Sequence, residues 1–220
     1  MSIDLGRIGP ALWQATLETT YMVGVSMVLA VLLGIPLGVL LLLTAPDGLT
    51  PRGVINQVVG ALVNMGRSVP FIVLLVLVAP VTRLMTGTTI GSTATIVPLT
   101  IAAVPFFARL VEASLREVAP GKIEAARSMG ASTGQVVRSV LLPEARPGLV
   151  AGATVTLIAL ISYSAMAGAI GGGGLGDFAI RHGYQRFDTG VTVAVVVVLL
   201  VMVQLLQSAG DRLARRLAHR

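Results

Sequence analysis

The hydrophobic pattern of this chain is built from long unbroken runs, not from alternation or one-sided stripes. Residues 19–46, 84–108, 147–176 and 189–210 carry no charge, and residues 53–81 carry one, Arg67. A helix needs about 20 apolar residues to cross the hydrocarbon core. The runs therefore predict spans at 19–43, 57–81, 85–107, 149–174 and 189–209. The Val-rich stretch 191–203 would suit a strand in water, but its length marks a span. The expected fold class is all-α: a polytopic membrane protein with five transmembrane helices, forming one transmembrane domain over residues 1–220.

Two of the runs are interrupted. Pro36, between Gly34 and Gly38, predicts a kink in the first span, because proline removes a backbone donor and crowds the preceding turn. Arg67-Ser68-Val69-Pro70-Phe71 divides the second, and Pro70 predicts a kink or restart there. Arg67 reads as a side chain that snorkels to a headgroup or fixes a helix–helix contact. The first run exceeds a signal-peptide core and no Ala-x-Ala follows it, so a retained span is expected.

Composition agrees with a lipid solvent. Hydrophobic residues make up 55% and charged residues 12%, against about 25% charged in soluble domains. The absence of cysteine excludes disulfides, thiolate metal sites and lipidated cysteines. The net charge of +6 belongs to loops rich in Lys and Arg. Eleven such residues fall on one side of the five spans: Arg52, the group Arg109, Arg116, Lys122, Arg127, Arg138 and Arg146, and the tail Arg212, Arg215, Arg216 and Arg220. Four fall on the other: Arg7, Arg83, Arg181 and Arg186. The positive-inside rule then places the N-terminus outside and the C-terminus in the cytoplasm. The basic tail suits anionic lipid headgroups. Aromatic content of 4%, with no basic–aromatic stretch, argues against nucleic acid.

The loop at 108–148 is rich in helix punctuation. Pro120 suits a first helical position. Ile123, Ala126 and Arg127 then share one side of a short helix, and Gly130 suits its C-terminal end. Ser132 and Gln135 have capping-box spacing for a second helix through Val136, Val137, Val140 and Leu141, which Pro143 is expected to end. The segment thus predicts a rigid knob of two short helices on the cytoplasmic face.

Glu124-Ala125-Ala126, three residues, Gly130, nine residues and then Val140-Leu141-Leu142-Pro143 resembles the EAA signature of ABC importer permeases, with Val140 where that family has Ile. The resemblance implies that the first short helix is a coupling helix docking into an ATPase subunit, with Glu124, Ala125, Ala126, Gly130, Leu142 and Pro143 as coupling residues. Arg67-Ser68-Val69-Pro70-Phe71, Val97-Pro98-Leu99-Thr100, Tyr163-Ser164-Ala165-Met166, the glycine run 171–176 and Ala209-Gly210-Asp211-Arg212 resemble the methionine permeases among these importers. That resemblance implies a homodimer working with two ATP-binding ATPase subunits and an extracytoplasmic methionine-binding lipoprotein in the bacterial inner membrane. It implies import of L-methionine, with D-methionine or derivatives as further cargo.

No phosphate-binding loop is present, and the one lysine, Lys122, follows no Gly-x-x-x-x-Gly. ATP hydrolysis is therefore expected in a separate chain, and neither a catalytic residue nor a cofactor or metal is expected in this one. Gly171-x-Gly173-x-x-Gly176 matches a dinucleotide fingerprint by letters but lacks its strand–turn–helix setting. Spans one, three, four and five hold no Asp or Glu in their charge-free cores, which argues against proton-coupled transport. Ser162, Tyr163, Ser164 and Met166 are the candidate lining of a translocation path, each equally able to serve helix packing. Two alternatives stay open: an ABC permease for another small polar solute, and a self-contained secondary transporter.

Overall fold

The computed structural model describes residues 5–218, with side chains from Ile8 onward. Arg220 of the basic tail lies outside the described residues, as does the side chain of Arg7. Among the described residues the fold is helical throughout, without strands. Four helices are long and apolar enough to cross a membrane: α1 (Leu5–Thr44), α5 (Ser92–Arg116), α9 (Arg146–Gly168) and α11 (Thr189–Ala218). A fifth crossing is available from α2 (Gly53–Ser68) and α3 (Phe71–Leu77), a pair bent by 106° at the Val69-Pro70 break. A short α4 (Ala79–Thr86) follows.

The helix ends depart from the charge-free runs in ways the side chains explain. Helix α1 begins well before residue 19 and runs unbroken through Pro36. The third crossing starts at Ser92, not at 85, because Gly87 (φ 77°) and Gly91 (φ 97°) turn the chain out of α4. It then continues to Arg116, past the expected end at 107, since its charged residues pair with one another. Helix α9 stops at Gly168, ahead of the predicted 174.

The chain divides into two compact units. One takes in α1 up to Val28, Val69–Ala103 and Leu157–Gln207. Its core sets Ala15 of α1 against Leu175, Phe178, Val191 and Val195, with Ile8, Leu12 and Met202 packed around them. The buried Ser26 hydroxyl donates to the Ile96 carbonyl. The other unit takes in Leu29–Ser68, Val104–Thr156 and the chain from Ser208. Here Gly34 and Gly38, four residues apart, bring α1 against Phe107, Ala108 and Val111 of α5. Lipid gives little hydrophobic drive between helices, so close backbone packing across small residues is what holds them.

Gly38 offers a sharp test of that contact. A methyl group there would sit 2.6 Å from the Ala108 carbonyl oxygen and 2.6 Å from Val111 Cγ1. Gly38→Ala should cost about 1–3 kcal/mol, as overpacking does, and lower the thermal midpoint of the detergent-solubilised protein. Gly24→Ala, in the same helix with nothing within 4 Å, should leave that midpoint unchanged.

Candidate functional site

The knob between α5 and α9 forms from its own local chemistry. Pro120 opens α6 (Pro120–Ser128) and forces Ala119 into the extended region, ψ 125°. Gly130, at φ 84°, closes it. The Ala131 N–H donates to the Ala126 carbonyl and the Gly130 N–H to that of Arg127, the paired bonds of a Schellman cap. The next turn starts with a full capping box: Ser132 Oγ accepts from the Gln135 N–H, and Gln135 Oε1 accepts from the Ser132 N–H at 2.7 Å. This helix does not end at Pro143. It runs through α7 (Thr133–Val136), a π-helical stretch Val137–Leu141 and α8 (Leu142–Glu144). The widened turn, in which the Leu142 N–H reaches the Val137 carbonyl, makes room for a proline ring that would crowd an ordinary helix. Lys122 pairs with Glu144 across the two arms.

The six residues singled out here do not all face the same way. Glu124, Ala125 and Gly130 are exposed, Ala126 is buried under its own helix, and Leu142 and Pro143 are half-buried in the second arm. The residue the sequence reading passed over is Met129. It is 81% exposed, and no other large apolar side chain between 117 and 148 is exposed. Its signal was available: it occupies the position before the capping glycine, where a side chain projects from the helix end.

The four path candidates also separate. Ser162 and Met166, one turn apart on α9, share an exposed face, with Met166 at 41%. Tyr163 is half-buried, and its ring stacks on Phe71 with centroids 4.6 Å apart. Phe71 is the first residue of α3, so the stack ties α9 to the helix that restarts after Pro70. Ser164 points elsewhere: it is buried and donates to the Ile161 carbonyl. The Thr100 hydroxyl is buried without a partner.

The glycine run after α9 is a built loop. Gly171, Gly173 and Gly174 have φ of 81°, 77° and 71°. The Gly91 N–H donates to the Gly171 carbonyl, and the Thr95 hydroxyl lies 3.0 Å from both the Gly91 and Gly172 oxygens. From α1, Glu18 Oε2 accepts the Gly174 N–H and Thr19 Oγ1 accepts the Leu175 N–H, both at 2.9 Å. These bonds hold the start of α10 (Gly174–Phe178) and the π-helical Ala179–Tyr184 that continues it. Arg181 pairs with Asp177, and His182 stacks on Phe178. Tyr184, at its end, and Phe187, beyond it, stand exposed, Phe187 with φ 52°. No three metal-ligating side chains gather among the described residues.

Multiple helices of membrane-crossing length with one bent pair, plus a capped two-arm knob, define a polytopic helical membrane fold. The family described as binding-protein-dependent transport system inner membrane component matches residues 34–220, and the chain belongs to that family. A Vibrio cholerae protein described as a probable D-methionine transport system permease protein MetI is 55% identical over 206 residues, covering 94% of this chain and 92% of its own length. The Bacillus subtilis methionine import system permease protein MetP is 45% identical over 200 residues, covering 91% and 90%. A solved chain from inward-facing conformations of the MetNI methionine ABC transporter superposes with TM-score 0.93 at 47% identity, covering 99% of both chains. The chain is thus an inner-membrane transport component and not an enzyme.

Thr19 tests how the glycine loop is held. It is 1% exposed, and its oxygen is the acceptor for the Leu175 N–H. Thr19→Val keeps the shape and strands that donor, at a cost of about 1–3 kcal/mol. The expected result is a lower thermal midpoint together with faster proteolysis between residues 168 and 188.

Proposed function

We propose that this chain is the permease subunit of an ATP-driven ABC importer that takes up methionine, the L-isomer and also D-methionine, across the cytoplasmic membrane. The observation that carries this reading is the 55% identity to a methionine permease along almost the whole of both chains. The chain works as a homodimer beside two ATPase subunits, with an extracytoplasmic methionine-binding lipoprotein delivering cargo. Its two compact units serve as one permease domain over residues 1–220. The N-terminus lies outside and the C-terminus inside, as the excess of Lys and Arg in and around the knob supports.

In this reading α6 is the coupling helix. Glu124 offers a charge and Ala125 a small surface for close approach, while Met129 supplies an apolar anchor. Leu142 and Pro143 shape the second arm, and Gly130 keeps the two arms at a fixed angle through its Schellman cap. ATP binding draws the ATPase pair together and with it the coupling helices, so the spans rock and open outward. Hydrolysis resets them, in the manner of alternating access by domain rocking. Ser162 and Met166 line the path from the exposed face of α9, and Tyr163 adjoins it through the Phe71 stack. A thioether is soft and adaptable, which suits contact with a thioether cargo. Ser164 supports the helix from within.

Vesicles holding this chain with its ATPase and binding protein should take up labelled L-methionine when ATP is on the ATPase side, and excess unlabelled methionine should block uptake. ATP-dependent uptake of another solute alone would discard the cargo. Uptake by this chain without ATPase would discard the class. Glu124→Arg and Gly130→Pro should each leave the permease in the membrane yet weaken its capture of ATPase. Orientation is checked by labelling, since the chain has no cysteine of its own. Arg216→Cys, exposed near the C-terminus, should react with a membrane-impermeant maleimide only once the cytoplasmic face is opened, and Phe187→Cys in intact cells.

A further inference from the structure

At the end of α5 nearest the knob, three charged residues lie on one face: Arg109, Glu112 and Arg116, spaced i, i+3 and i+7. Glu112 is 7% exposed, and a buried carboxylate must be paired to be tolerated. Both its oxygens are engaged. Arg109 Nη1 donates to Oε2 at 2.6 Å, while Arg116 donates to Oε1 from Nη2 at 3.1 Å and from Nε at 3.3 Å. Each arginine has a second partner elsewhere in the fold. Arg109 Nη2 reaches the Gly60 carbonyl at 3.2 Å and Asn64 Oδ1 at 3.0 Å, both on α2. Arg116 Nη1 reaches Asp47 Oδ2 at 3.0 Å, in the connection between α1 and α2. That connection is itself tied down, because Asn56 Nδ2 donates to the Leu41 carbonyl and to Thr44 Oγ1.

The position of Asp47 gives the network its consequence. Asp47 and Arg116 form one wall of a cavity of about 320 Å³ whose other wall is α6, through Pro120, Ile123, Glu124 and Arg127. The connection between α1 and α2 thus faces α6 across this cavity, and Glu112 is the node that keeps Arg116 on Asp47. We propose that Glu112 is a positioning residue of the coupling apparatus. Through Arg116 and Asp47 it ties the α1–α2 connection to the end of α5, three residues ahead of α6, so that movement of α6 reaches α1 and α2 instead of being absorbed by the loop. This rests on the reading of α6 as the ATPase-contacting helix. It adds a route from that helix through the end of α5 to α1 and α2, besides the chain running directly into α5 and α9.

The test uses the whole transporter in proteoliposomes, reading methionine uptake and ATP hydrolysis in the same sample. Glu112→Gln keeps the shape but removes the charge that holds both arginines. Transport per ATP hydrolysed should fall roughly fivefold or more, the scale of a site-to-site coupling energy, while the ATPase still co-purifies in the same ratio. An unchanged ratio of uptake to hydrolysis would overturn the proposal. Asp47→Asn provides a second route should Glu112→Gln fold poorly, since it removes the far end of the clasp at an exposed side chain and leaves the Glu112–Arg116 pair in place. It should lower the transport ratio as well, and an unchanged ratio counts against the clasp. Glu124→Arg, run in parallel, separates the two layers: normal ATPase capture and transport there would sink the coupling-helix reading itself, whatever Glu112→Gln does.

Discussion

In lipid, every backbone N–H and C=O must find a partner within the protein, because no water is there to supply one. Long helices meet this demand by themselves, and the informative places are those where a helix stops. Several of the stops here are provided for. The glycine run after α9 would leave a row of free groups, and Gly91, Thr95, Glu18 and Thr19 take them up. Pro143 would crowd an α-helical turn, and the chain widens into a π-helical one ahead of it. At Pro70 the helix ends and restarts, and Phe71 is held by stacking on Tyr163.

The knob was legible in the sequence because its instructions are local. A proline at the first position, a left-handed glycine and a Ser-x-x-Gln box lie within 16 residues, and each acts over a single turn. The number of crossings was legible for a similar reason, since hydropathy is a property of a run. Boundaries were less so. Counting charges ends the third span at 107, yet α5 continues to Arg116 because Arg109, Glu112 and Arg116 neutralise one another. The partner that completes this network, Asp47, lies 69 residues away from Arg116, and no periodicity announces a pairing at that range.

The candidate path residues were the hardest to read, also for a physical reason. A helix that is apolar all round has no amphipathic stripe to show which side faces what. Ser162 and Ser164 look alike in sequence, yet one is exposed and the other is buried on its own helix's carbonyl. Family resemblance grouped four residues, and the fold sorts them by direction. Ser162 and Met166 share the open face, Tyr163 is engaged by Phe71, and Ser164 packs inward.

If the knob couples as proposed, it must be stiff, or motion applied at one end dies within it. The knob is stiff by capping and by the Lys122–Glu144 pair. Its base is anchored by ions, and buried ion pairs contribute little net stability once desolvation is counted. What they do supply is direction. Arg109 can satisfy Glu112, Gly60 and Asn64 together in few orientations, and Arg116 is equally constrained between Glu112 and Asp47. Apolar packing alone would hold α2, α5 and the α1–α2 connection together but would let them slide. A set of directed bonds around one buried carboxylate resists sliding, and resistance to sliding is what the transmission of a push requires.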